Sequence, residues 1–345
     1  MRKNWQTIVG ALSGVTGAVI WALATAIYQP IMQPEGFWTD SSTGEAFPQL
    51  ASNNTYWPRD IRQLAILLAL GGVILICRAN ARGVAAGAIA ALGWLGADIW
   101  LDRIDVAGGA AAAWLAVGGI GLFSATAVVA ARVSAGQGAT ARARHLFATV
   151  GAVLAAATMV VTTPWDEPVT VPDQVRVENA LSMLKAGLVV MFVATMIGLV
   201  AVQLTAVRAR RMAVFVGVAA LAAWLTTTNN GSAVVGLIGM LVAATLAVVA
   251  AREVALIRLL PVAVVCGVAL FPAMMMLYFV GSTVGSAMTS LADNPPVNGA
   301  DTDLSLAFSG LVLGLLLASI SHVLAPPPHE PSSLSRDPGP VLNRA

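Results

Sequence analysis

The chain has 345 residues, of which 58% are hydrophobic and 10% charged, and its net charge is +2. A soluble domain carries about 25% charge, so this composition leaves too little polar surface to meet water and reads as a membrane protein. Basic residues interleaved with aromatics are missing, which excludes a nucleic-acid binder, and Cys77 and Cys266 both lie in apolar runs, where inert thiols are expected rather than a disulfide framework.

In chain order the apolar runs predict ten membrane helices. The first spans about Thr7 to Tyr28, after the basic Arg2 and Lys3. It contains small-residue cleavage-like triplets near Ala24, but it exceeds the apolar core of a signal peptide and is expected to stay as an uncleaved helix. Its Gly10, Gly14 and Gly17 offer a small face to a neighbour. A polar loop from Gln29 to Asp60 follows, rich in proline, acids and aromatics. Its length, about thirty residues, is more typical of functional loops than of plain connectors.

The second helix is predicted from Ile61 to Cys77, with a tight turn between Arg78 and Arg82. The third helix, within Gly83 to Asp105, ends in Asp98, Asp102 and Asp105. Spacings of four and three place these carboxylates on one helical face with Trp94, Ala91 and Gly87. The fourth helix runs from about Ala107 to Ala131 and the fifth from Leu146 to Thr162, separated by a basic loop. A second acidic loop, Thr163 to Asn179, holds Asp166 and Glu167 beside Trp165. Helix six covers Ala180 to Val207 and carries Lys185, with Glu178 seven residues before it. Helices seven, eight and nine follow, the last with Pro261 near its start and Pro272 in its interior, where a kink is expected. A third acidic loop spans about Ser282 to Asp303, and helix ten runs from Leu304 to Leu324. The predicted fold is therefore an all-α bundle over residues 1–324, followed by a Pro-rich disordered cytoplasmic tail over 325–345.

Charge orients the bundle. The segments placed inside by an even helix count hold 14 of the 19 basic residues, while 14 of the 17 acids fall on the other side. Basic residues set orientation, so both termini are expected in the cytoplasm of a multi-pass cell-membrane protein. Eight of the nine tryptophans fall in the outer half. They suit either an interfacial belt or an outward vestibule lined with indoles.

Function is read from the side chains that do not belong in lipid. Asp98, one turn inside the helix end, is a candidate for a cation or proton, because a carboxylate within a membrane segment is costly. Asp102 and Asp105 extend that site, or else form a solvated helix end beside Arg62 or Arg103. Asp166 and Glu167 are weaker candidates for acid chemistry in the outer leaflet. Lys185 either snorkels to the interface or contacts an anion. Pro272 marks a broken helix of the kind that surrounds transporter sites. The leading expectation is a permease-like protein for a cation or small organic solute, entering through an acidic vestibule at Trp94, with membrane lipid as its surroundings. The alternatives are an outer-leaflet transferase with a lipid-linked donor, and a non-catalytic subunit with membrane-protein partners. No cofactor and no metal are expected, since no histidine pair has ligand spacing.

Overall fold

The protein is described by a computed structural model over residues 4–32, 37–39, 46–48, 57–135, 140–160, 172–200, 272, 276, 283–294, 310–316 and 318–319. Helices dominate. In chain order they are α1 (Asn4–Leu23), a π-helical turn (Ala24–Tyr28), α2 (Gln29–Met32), α3 (Trp57–Ile76), α4 (Ala81–Arg103), α5 (Gly109–Val133), α6 (Ala141–Val160) and α7 (Pro172–Val200). Further helical stretches cover 283–291 and 310–316. Among the described residues four helical segments are long and apolar enough to cross a membrane: Trp5–Met32, Ala81–Arg103, Gly109–Val133 and Arg176–Val200. The expected helices seven and eight, Asp166, Glu167 and the 325–345 tail lie outside the described residues.

Several helices begin earlier than the polarity of the sequence suggests. Helix α3 starts at Trp57, so Arg59 and Asp60 are helical rather than part of the loop. Proline is tolerated in a first turn, which has no N–H partner to lose. Helix α6 starts at Ala141, because the Thr140 hydroxyl caps it by accepting the Ala143 N–H at 3.3 Å. Helix α7 starts at Pro172, which takes half of the second acidic loop into the helix. Residues 283–291 are likewise helical, inside what reads as the third acidic loop. The first polar loop contains a short antiparallel hairpin, β1 (Phe37–Thr39) with β2 (Ala46–Pro48), Trp38 opposite Phe47.

Helix α1 sits at the centre. Gly10 and Gly17 let it approach α3 so closely that an added Cβ would stand 2.8 Å from the Gly72 carbonyl and 2.5 Å from the Ala65 carbonyl. Gly14 receives the ring of Phe123 from α5. Small residues thus set the interhelical distance, as expected where lipid removes the hydrophobic drive between helices. The pairings run antiparallel for α1 with α3 (Gly10 on Gly72, Gly17 on Ala65) and for α3 with α4 (Gly87 on Val73, Asp98 on Arg62). Polar contacts tie α1 to α7: Gln6 Nε2 donates to the Gly198 carbonyl at 2.9 Å, and the Ser13 and Thr195 hydroxyls are 2.9 Å apart. Helices α3 and α7 run parallel, Gly71 against Thr195 and Leu75 against Gly198.

Two local devices hold the turns. Asn80 caps α4, its side chain accepting from the Arg82 and Gly83 N–H groups after Arg78 and Ala79 have turned through the left-handed region. Gly108, with φ of 103°, precedes α5 and donates its N–H to the Ala26 carbonyl at 2.8 Å. That carbonyl lies in the π-helical turn, where the regular ladder is interrupted and a carbonyl can take an outside donor. A side chain at position 108 would be strained in this conformation.

Candidate functional site

The site is built at one end of the bundle, where the first turns of α3 meet the last turns of α4. On α4 the buried residues are Gly83, Gly87, Trp94, Asp98 and Asp102. This is the helical face that runs from small residues through an indole to two acids. On α3, Arg59 and Arg62 are three apart, and on α4, Asp98 and Asp102 are four apart. In antiparallel helices these spacings bring two cations opposite two anions.

The ion pairs are short and dry. Arg62 Nε lies 3.2 Å from Asp98 Oδ1, and its Nη1 lies 3.0 Å from Asp102 Oδ1. Arg59 reaches Asp102 Oδ2 with Nη2 at 3.1 Å and Nε at 3.2 Å. All four side chains are 1–3% exposed. The 283–294 segment closes the network. Arg59 Nη1 donates to Thr289 Oγ1 at 2.5 Å, and Asn294 Nδ2 donates to Asp102 Oδ2 at 3.0 Å. Helix α1 contributes Trp21, whose Nε1–H donates to Asp98 Oδ1 at 2.7 Å. Trp21 packs edge-on against Trp94, with ring centroids 5.2 Å apart and planes at 84°. A charge pair buried this way repays its desolvation only when its remaining lone pairs and protons are satisfied. Asp102 meets that condition with three hydrogen bonds, from Arg59 Nε, Arg62 Nη1 and Asn294 Nδ2. Asp98 does not: among the described residues its Oδ2 has no hydrogen-bond partner, nor has the Trp94 Nε1–H one turn earlier.

The other sequence candidates separate from this centre. Helix α4 ends at Arg103, and Asp105 sits beyond it with φ of 49°, exposed, so it leaves the face shared by Asp98 and Asp102. Arg103 makes a surface pair with Asp293 at 3.9 Å, of a kind worth little. Lys185 is buried on α7 and engaged in interactions of its own. Pro272 is helical and exposed, and the course of its helix lies outside the described residues. The tryptophans divide. Trp21, Trp57 and Trp94 are core residues, whereas Trp100 and Trp114 are exposed at 59% and 76%. Trp21 and Trp94 flank the network, and the exposed pair suits a belt in the lipid interface.

Sequence reading missed Arg59, Thr289 and Asn294 as partners. The matched spacing of Arg59–Arg62 with Asp98–Asp102 was a usable signal for the arginines. Thr289 and Asn294 carried none, because only the packing of 283–294 brings them in. Among the described residues no group of three histidine, cysteine or acidic side chains is placed to hold a metal ion. Compared with protein-family models, with curated proteins and with solved structures, the chain matches none of them.

Proposed function

We propose that the chain is a multi-pass protein of the cell membrane, with ten membrane helices and both termini cytoplasmic, that moves a cation or small organic solute. The orientation rests on the concentration of arginine at one side of the sequence-derived topology. The observation that carries the functional reading is the buried network of Arg59, Arg62, Asp98 and Asp102. Ionisable residues inside a bundle cost free energy, and a chain keeps them where they act on ions or solutes. Here the arginine head groups occupy the carboxylates and close this end of the bundle. A cationic solute reaching Asp98 would compete with Arg62 for Oδ1 and meet the open Oδ2. The network thereby couples solute binding to separation of α3 from α4.

The test is uptake of guanidinium, a cation shaped like the arginine head group, by proteoliposomes holding the full chain. Asp98→Asn abolishes uptake on this reading, because it removes the charge the solute must meet. Asp105→Asn leaves it intact. Equal, mild effects at Asp98, Asp102 and Asp105, or no uptake by the wild-type protein of this or other small cations, would reject the reading.

A further inference from the structure

A third acid lies at the same end and takes no part in the network. Asp60, in the first turn of α3, is fully buried, and neither of its carboxyl oxygens has a hydrogen-bond partner among the described residues. We propose that Asp60 is a proton-binding site, its carboxyl group holding a proton while the four-residue charge network beside it is closed.

The argument is one of charge and ligands. Arg59 and Arg62 are matched by Asp98 and Asp102 in number and in geometry. Arg59 is the cation whose charge Asp60 feels, and its guanidinium also bonds Asp102 and Thr289. From α4, Asp98 and Asp102 face this end with both charges spent on the arginines. From the 283–294 segment come Thr289 and Asn294, both neutral, while Asp293 is exposed and turned to Arg103. From α7, the register set by Gly71 on Thr195 and Leu75 on Gly198 brings Lys185 to the level of the first turns of α3. Among the described residues no ion pair within 4.0 Å joins Lys185 to Asp60. An ionised carboxylate buried without a partner is too costly to persist, and such a group neutralises by taking up a proton. A metal cation is the poorer occupant. Hard cations need six or more oxygens, and the described residues gather no acidic cluster around Asp60.

The step is simple in its balance. One proton from the aqueous phase forms one O–H bond on the carboxylate, and one negative charge is lost from the bundle. Releasing it creates an anion next to Arg59, which then has two carboxylates to choose between. Proton release at Asp60 and loosening of the Arg59–Asp102 pair are thereby linked.

The test uses the purified full chain in lipid nanodiscs and infrared spectroscopy of the protonated carboxyl C=O stretch. It needs no transported solute, so its outcome stands apart from the uptake assay. The wild-type protein shows a protonated-carboxyl band at neutral pH that moves in deuterated water. Asp60→Asn removes that band, and Asp60→Glu shifts it. A spectrum unchanged by Asp60→Asn would overturn the proposal, and so would a wild-type band lost on adding sodium chloride at constant pH. Should Asp60→Asn fail to fold, wild-type protein with ¹³C-labelled aspartate side chains decides. Absence of any isotope-shifted protonated band at neutral pH then overturns it.

Discussion

Replacing Arg62 by methionine perturbs the network at its most connected cation. The guanidinium pairs with both acids, Asp98 at 3.2 Å and Asp102 at 3.0 Å. Methionine keeps the aliphatic stem, so packing against α4 changes little. The two acids suffer unequally. Asp102 retains Arg59 and Asn294. Among the described residues Asp98 then retains the Trp21 N–H alone, and its Oδ2 already lacks a partner there. The substitution therefore leaves one buried carboxylate without its counter-charge. Breaking a buried pair on one side costs about 3–5 kcal/mol, a shift of roughly 10²- to 10³-fold or more in the unfolding equilibrium. The second substitution, Asp98→Asn, removes that uncompensated charge. The Arg62→Met/Asp98→Asn double variant should thus recover most of the loss, whereas Asp98→Asn alone leaves Arg62 with Asp102. Unfolding in detergent micelles, by denaturant or by heat, measures all three variants and closes a double-mutant cycle. A cost below about 1 kcal/mol for Arg62→Met would place the pair in the range of solvated surface bridges. That result, or a double variant no more stable than the single, would refute the reasoning.

Three further outcomes follow from the geometry. Gly17→Val drives a side chain into the Ala65 carbonyl, which is backbone and cannot yield, so α1 and α3 must part; the cost is about 1–3 kcal/mol or more, seen as lost folded yield, while Gly93→Ala, with nothing within 4 Å, should be neutral or slightly stabilising. Trp21→Phe keeps the ring contact with Trp94 but deletes the donor to Asp98, and should destabilise by about 1.5–3 kcal/mol in the same unfolding assay. On the proposed topology, a cysteine at Ala107 reacts with an impermeant thiol reagent added to intact cells and one at Ala135 does not; labelling at Ala135 would overturn the orientation.

What the sequence by itself determined is the solvent and the helical faces. Apolar runs of twenty or more residues specify helices because a membrane offers no partner to an open backbone. The 3.6-residue period then determines which side chains travel together. Gly87, Trp94, Asp98 and Asp102 were on one face before any partner was known, and that face is the buried one. Gly10, Gly14 and Gly17 were legible as a contact surface for the same reason.

What only the tertiary structure decided is who meets that face. Charged residues beside an apolar run read as loop, since an isolated charge belongs in water. Arg59 and Asp60 are instead helical, and with Arg62 they are buried, because the acids of α4 lie across from the two arginines at matching heights. The 283–294 segment reads as an acidic connector, yet it delivers Thr289 and Asn294 to bonds about 190 to 230 residues away in sequence. Asp105 shows the converse. Its spacing fits the acidic face, but the helix ends two residues earlier and a left-handed turn carries it into solvent. Periodicity is local and is written in the chain, whereas counter-charges are supplied by packing across the bundle, and only the packed bundle determines whether a carboxylate is satisfied or left open.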